Sequence, residues 1–319
     1  MLNEDPQVSR AANAAKRFEF DFDLLNQFLP YNIPDIDRPI MMALYDGETQ
    51  WANLGLWGES TYLKTENCYP AAAESLARKL GKAAQLGKNH SVYDAGFGGG
   101  EQFRLWRAVF KVGHITGRDI CPKHVELALQ RIETLGIQKD LDLNIGDAAR
   151  PDDLDSNSFD RVVSLDAAYH FKTREDFLKS SFRILKPGGR IAFTDLLLPV
   201  LDAERTSHDD FSNMESYKKL SWKIRGTAKA CGIVTANLIT NVELKKQLQS
   251  LGYEDIKFQN YDEFVWSGFI KYIVENQEDL FYVSTFKQRL KIIATVLFCK
   301  QIDESKSLNY ILISASKPN

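Results

Sequence analysis

The sequence predicts an α/β fold, a doubly wound and mostly parallel sheet of seven strands with an antiparallel last strand and a helical cap. Short apolar runs alternate with helical segments through the middle of the chain, a glycine-rich turn follows the first of these runs, and an apolar run lies at residues 308–314. Strands that are separated by helices imply parallel pairing, and such a sheet binds its ligands beyond the carboxyl ends of its strands.

The predicted elements follow one another in a regular order. After the first strand, which ends at Asp94, we expect strands at residues 114–120, 141–145, 159–165, 190–198, after the turn at Gly252, and at 308–314. We expect helices at residues 69–86, 101–110, 122–135, 173–185 and 242–251, and a turn at 186–189. An N-terminal arm (residues 1–40, with a helix at 11–28) precedes one domain (residues 41–319), which carries a cap insertion at about 201–240 and amphipathic helical segments at about 264–299.

Composition and charge exclude several classes of protein. A chain of 319 residues, 44% hydrophobic and 26% charged, has the composition of a globular protein with one sizeable core. The net charge of -3 and the pI near 6.0 argue against a nucleic-acid-binding protein and favour a small-molecule partner. We find neither a signal peptide nor a run of about 18 apolar residues, so we expect no integral membrane insertion.

The cysteines and histidines predict neither disulfides nor a metal site. The four cysteines are widely spaced and form no C-x-x-C pair, at Cys68, Cys121, Cys231 and Cys299. The histidines form no i,i+4 pair, and the acidic run at residues 152–155 has no further ligands nearby. We therefore expect a soluble protein in the reducing cytoplasm and no metal.

The most informative stretch is SVYDAGFGGGEQ, which begins at residue 91 and contains the spacing D-x-G-x-G-x-G at Asp94, Gly96, Gly98 and Gly100. Glycines let the backbone turn sharply and bring its N–H groups close to a ligand. The dinucleotide fingerprint needs a glycine where this chain has Glu101, and an acid there would face a bound pyrophosphate. We instead expect a sulfonium or ammonium ligand, attracted by Asp94 and Glu101.

Two further acids stand at predicted strand ends. Asp119 ends the second strand, 23 positions after Gly96. The acid that binds ribose hydroxyls in a Rossmann turn lies about 20 residues beyond the glycines, so we expect Asp119 to bind a ribose. Asp147 comes just after the third strand, where a ligand would also be within reach.

These residues resemble the cofactor loop of class I S-adenosylmethionine (SAM)-dependent methyltransferases. The segments SLDAAYHF and FLKSSFRILKPGGRIAFTDLLLP, at residues 164–171 and 177–199, are similar to the branch that methylates sugars, macrolides, sterol-like rings, tocopherols and phospho-bases. The N-P-P-Y sequence of many amino methyltransferases is absent. The resemblance covers about residues 41–316 and implies SAM as cofactor, a small apolar or natural-product-like acceptor, and a role in secondary metabolism.

The resemblance also implies which residues bind the cofactor. It places Asp147 against the adenine amino group, and it makes Tyr45, with Trp51 and Trp57, part of a lid over the cofactor. The alternative is that these aromatic residues belong to the core. The expected cofactor contacts are Tyr45, Asp94, Gly96, Gly98, Gly100, Gln102, Asp119, Ile120, Asp147, Ala148 and Asp166.

His170 and Asp195 are the expected catalytic residues. Transfer from a sulfonium mainly requires the acceptor to be held in line, about 3–3.5 Å away. A hydroxyl acceptor must also lose its proton, which suits a histidine because imidazole has a reference pKa of about 6.5. We expect His170 to be this base and Asp195, on the neighbouring strand, to orient it, as in sugar O-methyltransferases that this sequence resembles. The alternative is that His170 caps a turn and Asp195 accepts backbone hydrogen bonds.

The cap is expected to supply acceptor contacts at Phe211, Met214, Tyr217 and Trp222, although each also suits ordinary packing. Three uses besides packing are open for residues 264–299: a wall for a lipid-like acceptor, a homodimer face, or a membrane-surface contact. The leading hypothesis for function is O-methylation. One alternative is C- or N-methylation in the same fold, for which a base is dispensable. The other is a non-catalytic SAM-fold binding scaffold, although a scaffold has no need of the intact glycines and strand-end acids.

Overall fold

The computed structural model describes residues 49–58, 68–199, 222–276 and 286–319, and its centre is a seven-stranded sheet. The strands are β1 (Ser91–Ala95), β2 (His114–Asp119), β3 (Leu141–Ile145), β4 (Phe159–Ser164), β5 (Leu185–Leu197), β6 (Glu254–Asn260) and β7 (Asn309–Ser316). The second, third and fourth strands begin at the predicted residues. The predicted N-terminal arm lies outside the described residues.

The strand order is β3-β2-β1-β4-β5-β7-β6. Strands β1 to β5 pair in parallel, and β7 runs antiparallel to both β5 and β6. The antiparallel last strand is confirmed, but we expected it at the edge of the sheet, and it lies inside. All its residues from Tyr310 to Ala315 are buried, whereas those of β6 are mostly exposed. A strand that is buried on both faces belongs in the interior of a sheet, so β6 forms the edge.

Strand β5 begins earlier than predicted. It starts at Leu185 and includes the sequence Lys-Pro-Gly-Gly that we assigned to a turn. The pairing of β5 with β4 shifts register between Phe159 and Arg161, and Gly188 has a φ of +73°. The predicted turn is therefore an irregularity within the strand.

Helices cover both faces of the sheet. They are α1 (Tyr69–Ala83), α2 (Gln102–Ala108), α3 (Pro122–Thr134), α4 (Arg174–Ile184), α5 (Trp222–Ala230), α6 (Asn241–Ser250), α7 (Asp262–Glu275) and α8 (Phe286–Ser305). One hydrophobic cluster contains residues of α1, α2, α3, α5, α7 and α8, and the other contains residues of α4 and α6. Val92 and Tyr93 are neighbours in β1 and belong to opposite clusters, so both faces of the sheet are buried.

Local sequence explains where several helices begin. Helix α3 has Pro122 in its first turn, where the missing N–H costs nothing. Helix α6 begins with a capping box, in which Thr240 Oγ1 accepts from the Glu243 N–H and Glu243 Oε2 accepts from the Thr240 N–H. The N-cap of α6 lies beside the end of β5, because Thr240 forms an isolated parallel bridge with Leu198.

The predicted amphipathic segments at residues 264–299 coincide with α7 and part of α8, and residues 277–285 between these helices lie outside the described part of the chain. Both helices bury apolar side chains in the first cluster, among them Trp266 and Phe269 of α7 and Phe298 and Ile302 of α8. Ordinary packing therefore accounts for these residues. No helix in the described part of the chain is long and apolar enough to cross a membrane. A homodimer or membrane-surface contact stays a prediction.

Candidate active site

The loop after β1 holds its three alternating glycines in left-handed backbone conformations, with φ of +73° at Gly96, +56° at Gly98 and +74° at Gly100. Other residues adopt these angles only with strain. A Cβ on Gly96 would lie 2.6 Å from the Cβ of Ala167, so no side chain fits there. Among the described residues, only the Cβ of Ala52, at 3.7 Å, comes near a Cβ built on Gly98. The loop therefore leaves a cradle at Gly98 that a side chain would fill.

Asp94 is a buried acid with one unsatisfied oxygen. Its Oδ2 accepts from Trp106 Nε1 at 2.8 Å and lies 3.4 Å from Gln102 Nε2. Its Oδ1 is buried and has no hydrogen-bond partner in the described part of the chain. Burial raises the pKa of Asp94 to about 7, although the hydrogen bonds from Trp106 and Gln102 oppose this shift. A cationic donor on a ligand would satisfy Oδ1 and favour the ionised carboxylate.

The side chain of Gln102 lies inside the glycine loop and stabilises it. Its side chain is buried, and Nε2 donates to the Phe97 carbonyl at 2.9 Å as well as approaching Asp94. The amide thus holds the loop above the first turn of α2. A direct contact of Gln102 with the cofactor stays a prediction.

Glu101 is already paired inside the protein. Its oxygens accept from Arg131 Nε at 2.7 Å and Nη2 at 3.0 Å, and one also accepts from the Gln50 N–H at 3.0 Å. Arg104 Nε lies 3.5 Å away, and the Glu101 side chain is fully buried. We expected Glu101 to attract a cationic ligand, and the structure corrects this expectation because α3 brings Arg131 back to neutralise the acid.

Asp119 joins the end of β2 to the glycine loop. Its Oδ2 accepts from the Gly98 N–H at 2.9 Å, and its Oδ1 accepts from the Cys121 N–H at 2.9 Å. His124 Nδ1 lies 3.0 Å from the same Oδ1. We did not predict a role for His124, although its position in the first turn of the helix after Asp119 indicates that it lies near this acid. The two predicted site elements, the loop and Asp119, are therefore adjacent.

The residues beyond β2 and β3 present an apolar surface at the same edge of the sheet. Ile120 is 74% exposed, and Ile145, which pairs with Asp119 in the sheet, is 56% exposed. Asp147 Oδ1 accepts from the Ala149 N–H at 2.9 Å. Exposed isoleucines beside an acid suit a flat, partly apolar ligand, and Ile145 is a candidate contact that we did not predict.

Asp166, an expected cofactor contact, is the centre of a buried network. Its Oδ2 accepts from the Leu54 N–H at 2.8 Å, and its Oδ1 accepts from Thr194 Oγ1 at 3.0 Å and from the Tyr310 hydroxyl. Burial raises the pKa of Asp166, against these hydrogen bonds. The Asp166 carboxylate therefore links residues 49–58, through Leu54, to β5, through Thr194. A contact of Asp166 with the cofactor stays a prediction.

The aromatic residues of the expected lid separate into different environments. Trp51 is buried in the core, at 1% exposure. Trp57 packs against Tyr272 and Tyr69, with ring centroids 5.3 Å and 6.5 Å away. Tyr45 lies outside the described residues. Segment 49–58 runs beside the glycine loop, since the Gln50 carbonyl would lie 2.7 Å from a Cβ on Gly99.

His170 is an exposed residue at the end of a short 3₁₀ turn, Ala168–His170, that follows β4. Its Nδ1 lies 3.0 Å from the carbonyl oxygen of Gly232. The same turn contacts the glycine loop, because Ala167 and Phe171 are the nearest neighbours of a Cβ built on Gly96. His170 is thus carried by a segment that touches the predicted cofactor loop.

Asp195 is engaged by Arg174 instead of by the imidazole of His170. Its Oδ2 lies 2.7 Å from Arg174 Nη1, and its Oδ1 accepts from the Leu196 N–H at 2.8 Å. Burial raises the pKa of Asp195, and Arg174 opposes this shift. We expected Asp195 to orient His170 directly, and the structure corrects this because α4 presents an arginine to the carboxylate.

The expected acceptor contacts Phe211, Met214 and Tyr217 lie outside the described residues, as does the side chain of Trp222. The described residues contain no group of three or more metal-ligating side chains, and none of the four cysteines forms a disulfide there. Asp153, from the acidic run at 152–155, pairs with Arg118.

Comparison with known proteins identifies the family. A family model described as a methyltransferase domain matches residues 93–193. The chain is 30% identical over 284 residues to erythromycin 3''-O-methyltransferase of Saccharopolyspora erythraea, with 85% of each chain covered. It is 25% identical over 274 residues to 27-O-demethylrifamycin SV methyltransferase of Amycolatopsis mediterranei, with 83% of this chain and 92% of the relative covered.

Solved structures show the same fold. Geranyl diphosphate C-methyltransferase of Streptomyces coelicolor, crystallised with S-adenosyl-L-homocysteine, matches with a TM-score of 0.64 at 13% identity, covering 90% of this chain and 95% of that one. The unsatisfied Oδ1 of Asp94 and the cradle at Gly98 fit a cofactor that carries cationic groups. The chain therefore belongs to the class I SAM-dependent small-molecule methyltransferases.

Proposed function

We propose that this methyltransferase acts on a hydroxyl oxygen of a small, natural-product-like acceptor, with His170 as the general base. The observation that carries the proposal is the placement of an exposed histidine on a turn whose flanking residues, Ala167 and Phe171, contact the glycine loop at Gly96. The relatives named for erythromycin and demethylrifamycin are named for methylation at oxygen, which supports the same chemistry here.

We further propose which residues hold the cofactor. Asp94 would accept a hydrogen bond from a cationic group, the glycine loop would approach the cofactor with its backbone, and Asp119 would accept from ribose hydroxyls. Ile120 and Ile145 would contact the base, and Asp147 would lie beside its amino group. When bound, SAM supplies an activated methyl group on a sulfonium, whose leaving group is a neutral thioether.

His170 completes the reaction by removing a proton. SAM held by Asp94, the glycine loop and Asp119 would supply the methyl group to the acceptor oxygen. The hydroxyl proton passes to the unprotonated ring nitrogen of His170. A positioned base of this kind contributes about 100- to 10,000-fold to a rate, so its removal should be easily measured.

The test is methylation of a panel of lipophilic alcohols, phenols and sugar hydroxyls by the wild-type protein, His170→Ala and His114→Ala. His114 is an exposed histidine at the end of β2 opposite to Asp119, and it serves as the matched control. We expect His170→Ala to lose at least about 100-fold in kcat while its affinity for SAM, measured by calorimetry, stays unchanged.

Two outcomes would contradict the proposal. Undiminished turnover of a hydroxyl acceptor by His170→Ala would refute the general base. A product methylated at carbon or nitrogen, with no oxygen product from any acceptor of the panel, would instead support the C- or N-methyltransferase alternative.

A further inference from the structure

Residues 232–237, which follow α5, contact the turn that carries His170 at several points. We propose that this segment is a positioning clamp that fixes the ring orientation and the tautomer of His170, with Asn237 as its principal side chain. The catalytic meaning of the clamp rests on the proposed function, whereas its existence is independent of it. We use the name clamp for residues 232–237 throughout.

The first contact sets the tautomer. The Gly232 carbonyl, 3.0 Å from His170 Nδ1, can only accept a hydrogen bond, so Nδ1 must carry the proton. In a neutral imidazole the lone pair then belongs to Nε2. The structure thus assigns Nε2 as the nitrogen that removes the acceptor proton, and it gives the Gly232 carbonyl the orienting role that we expected of Asp195.

The second set of contacts fixes the backbone on both sides of His170. The Tyr169 carbonyl accepts from the Val234 N–H at 3.1 Å and lies 3.4 Å from Asn237 Nδ2. The Phe171 carbonyl accepts from the same Asn237 Nδ2 at 2.8 Å. The carbonyl groups of both neighbours of His170 in the chain are therefore held by the clamp, which restricts the backbone on either side of the imidazole.

Asn237 uses both ends of its amide. While Nδ2 donates to the turn, Oδ1 accepts from the Arg174 N–H at 3.1 Å. The side chain is buried, at 4% exposure, so these hydrogen bonds are made away from water. A donor and an acceptor are both required, which an ionised aspartate, a leucine or an alanine cannot supply.

Asp195 contributes to the clamp indirectly. It forms a buried ion pair with Arg174, whose backbone N–H binds Asn237. Arg174 is therefore held by Asp195 through its side chain and by Asn237 through its backbone N–H.

Gly232 has a backbone reason to be glycine. Its φ is +73°, and it ends α5 with hydrogen bonds from the Gly232 N–H to Lys229 and from the Ile233 N–H to Ala228. A Cβ there would lie 3.6 Å from His170 Nδ1, which is an ordinary contact. A substitution at Gly232 would therefore disturb the left-handed backbone and would not create a steric clash. This backbone conformation matters because it directs the Gly232 carbonyl at His170.

The experiment is long-range proton–nitrogen NMR of histidine side chains at about pH 8, where imidazoles of ordinary pKa are neutral. The His170 resonances are assigned by their loss in His170→Gln. Asn237→Asp keeps the acceptor for the Arg174 N–H but removes the donor, and Asn241→Asp makes the same chemical change at an exposed position in α6. We expect the Nδ1–H tautomer in the wild type and in Asn241→Asp, and a mixture of tautomers in Asn237→Asp.

A wild-type His170 in the Nε2–H form, or an unchanged tautomer in Asn237→Asp, would overturn the clamp. If Asn237→Asp fails to fold, Gly232→Asn and Gly232→Val replace it: asparagine tolerates the left-handed backbone and valine does not. We then expect the tautomer to change only in Gly232→Val, and the clamp is refuted if both keep it. The methylation activity of His170→Gln tests the proposed function. This test is separate from that of the clamp, because the NMR measurement of the tautomer requires no acceptor.

Discussion

The proposed cofactor edge of the sheet (Asp94, the glycine loop and Asp119) and the proposed acceptor edge (His170, its turn and Asp195) are built in different ways. At the cofactor edge the partners are close in sequence: Asp94 binds Trp106, 12 residues away, and Asp119 binds the Gly98 N–H, 21 residues away. At the acceptor edge His170 lies against Gly232, 62 residues away, and the Phe171 carbonyl accepts from Asn237, 66 residues away.

This difference has a consequence for specificity. A cofactor site that is made from one short stretch can stay constant while distant segments change around it. The acceptor edge depends on the clamp and on β7, which pairs with Asp195, so we expect changes in these two segments to alter the acceptor without disturbing SAM binding. The edges should therefore respond separately to substitution, and three predictions test this.

The largest effect is expected at the acceptor edge, where Asp195→Ala leaves Arg174 without its ionic partner. The Arg174 side chain is 3% exposed, so the uncompensated charge stays buried. Loss of one partner of a buried pair costs about 3–5 kcal/mol of unfolding free energy, measurable by urea denaturation. Where Asp195→Ala is still folded, SAM affinity should be unchanged.

A double variant supplies the control for Asp195→Ala. Replacing the pair by Asp195→Leu with Arg174→Met removes both charges and should recover much of the lost stability. If Asp195→Ala weakened SAM binding in the folded protein, the two edges would not be independent.

The second effect belongs to the cofactor edge. Gly98→Ala should fill the cradle and weaken SAM binding by about 100-fold, or about 2.7 kcal/mol, measured by calorimetry. Gly136→Ala is the matched control, because Gly136 also has a left-handed backbone, with φ of +64°, and a Cβ there meets nothing within 4 Å. Both variants should lose about 1 kcal/mol of stability to backbone strain, and equal SAM affinities would refute the cradle.

The sequence predicts the parts of the fold that depend on local patterns. The strands β2, β3 and β4 begin where their apolar runs begin, and α3 starts at its proline. The predicted position of β7 was wrong because hydrophobic periodicity indicates which residues are buried but does not indicate the order of the strands in the sheet. Its unbroken run of buried residues was the available indication of an interior strand.

The same limit applies to the site. The glycine loop and its approach to Asp119 follow from a short motif, whereas the neutralisation of Glu101 depends on Arg131, 30 residues away. The contact between His170 and Gly232 spans 62 residues, so no local pattern reveals that a carbonyl, and not Asp195, binds the imidazole. Pairings of this kind arise from tertiary packing.

The smallest effect is a dependence of SAM binding on pH that should be confined to the cofactor edge. Burial raises the pKa of Asp94 to about 7 in the free protein, whereas the unfolded value is near 3.8. If the cofactor binds the ionised carboxylate, its affinity falls as the pH falls through 7 and is about tenfold lower at pH 6 than well above pH 7, and binding at pH 6 releases a proton. Calorimetry of SAM binding in buffers of different ionisation enthalpy measures both quantities.

Asp94→Asn provides the control for this pH dependence, because its amide does not titrate. The unfolding free energy changes with pH in the opposite direction to the affinity for SAM. Between about pH 4 and pH 7 the native state holds a proton on Asp94 that the unfolded chain has lost. The unfolding free energy of the wild type therefore falls as the pH rises through this window. We expect Asp94→Asn to bind SAM more weakly at pH 8, to release no proton at pH 6, and to lack this fall in stability. Equal proton release in the wild type and in Asp94→Asn would show that another group at the cofactor edge titrates, and would leave the unsatisfied oxygen of Asp94 without a role in binding.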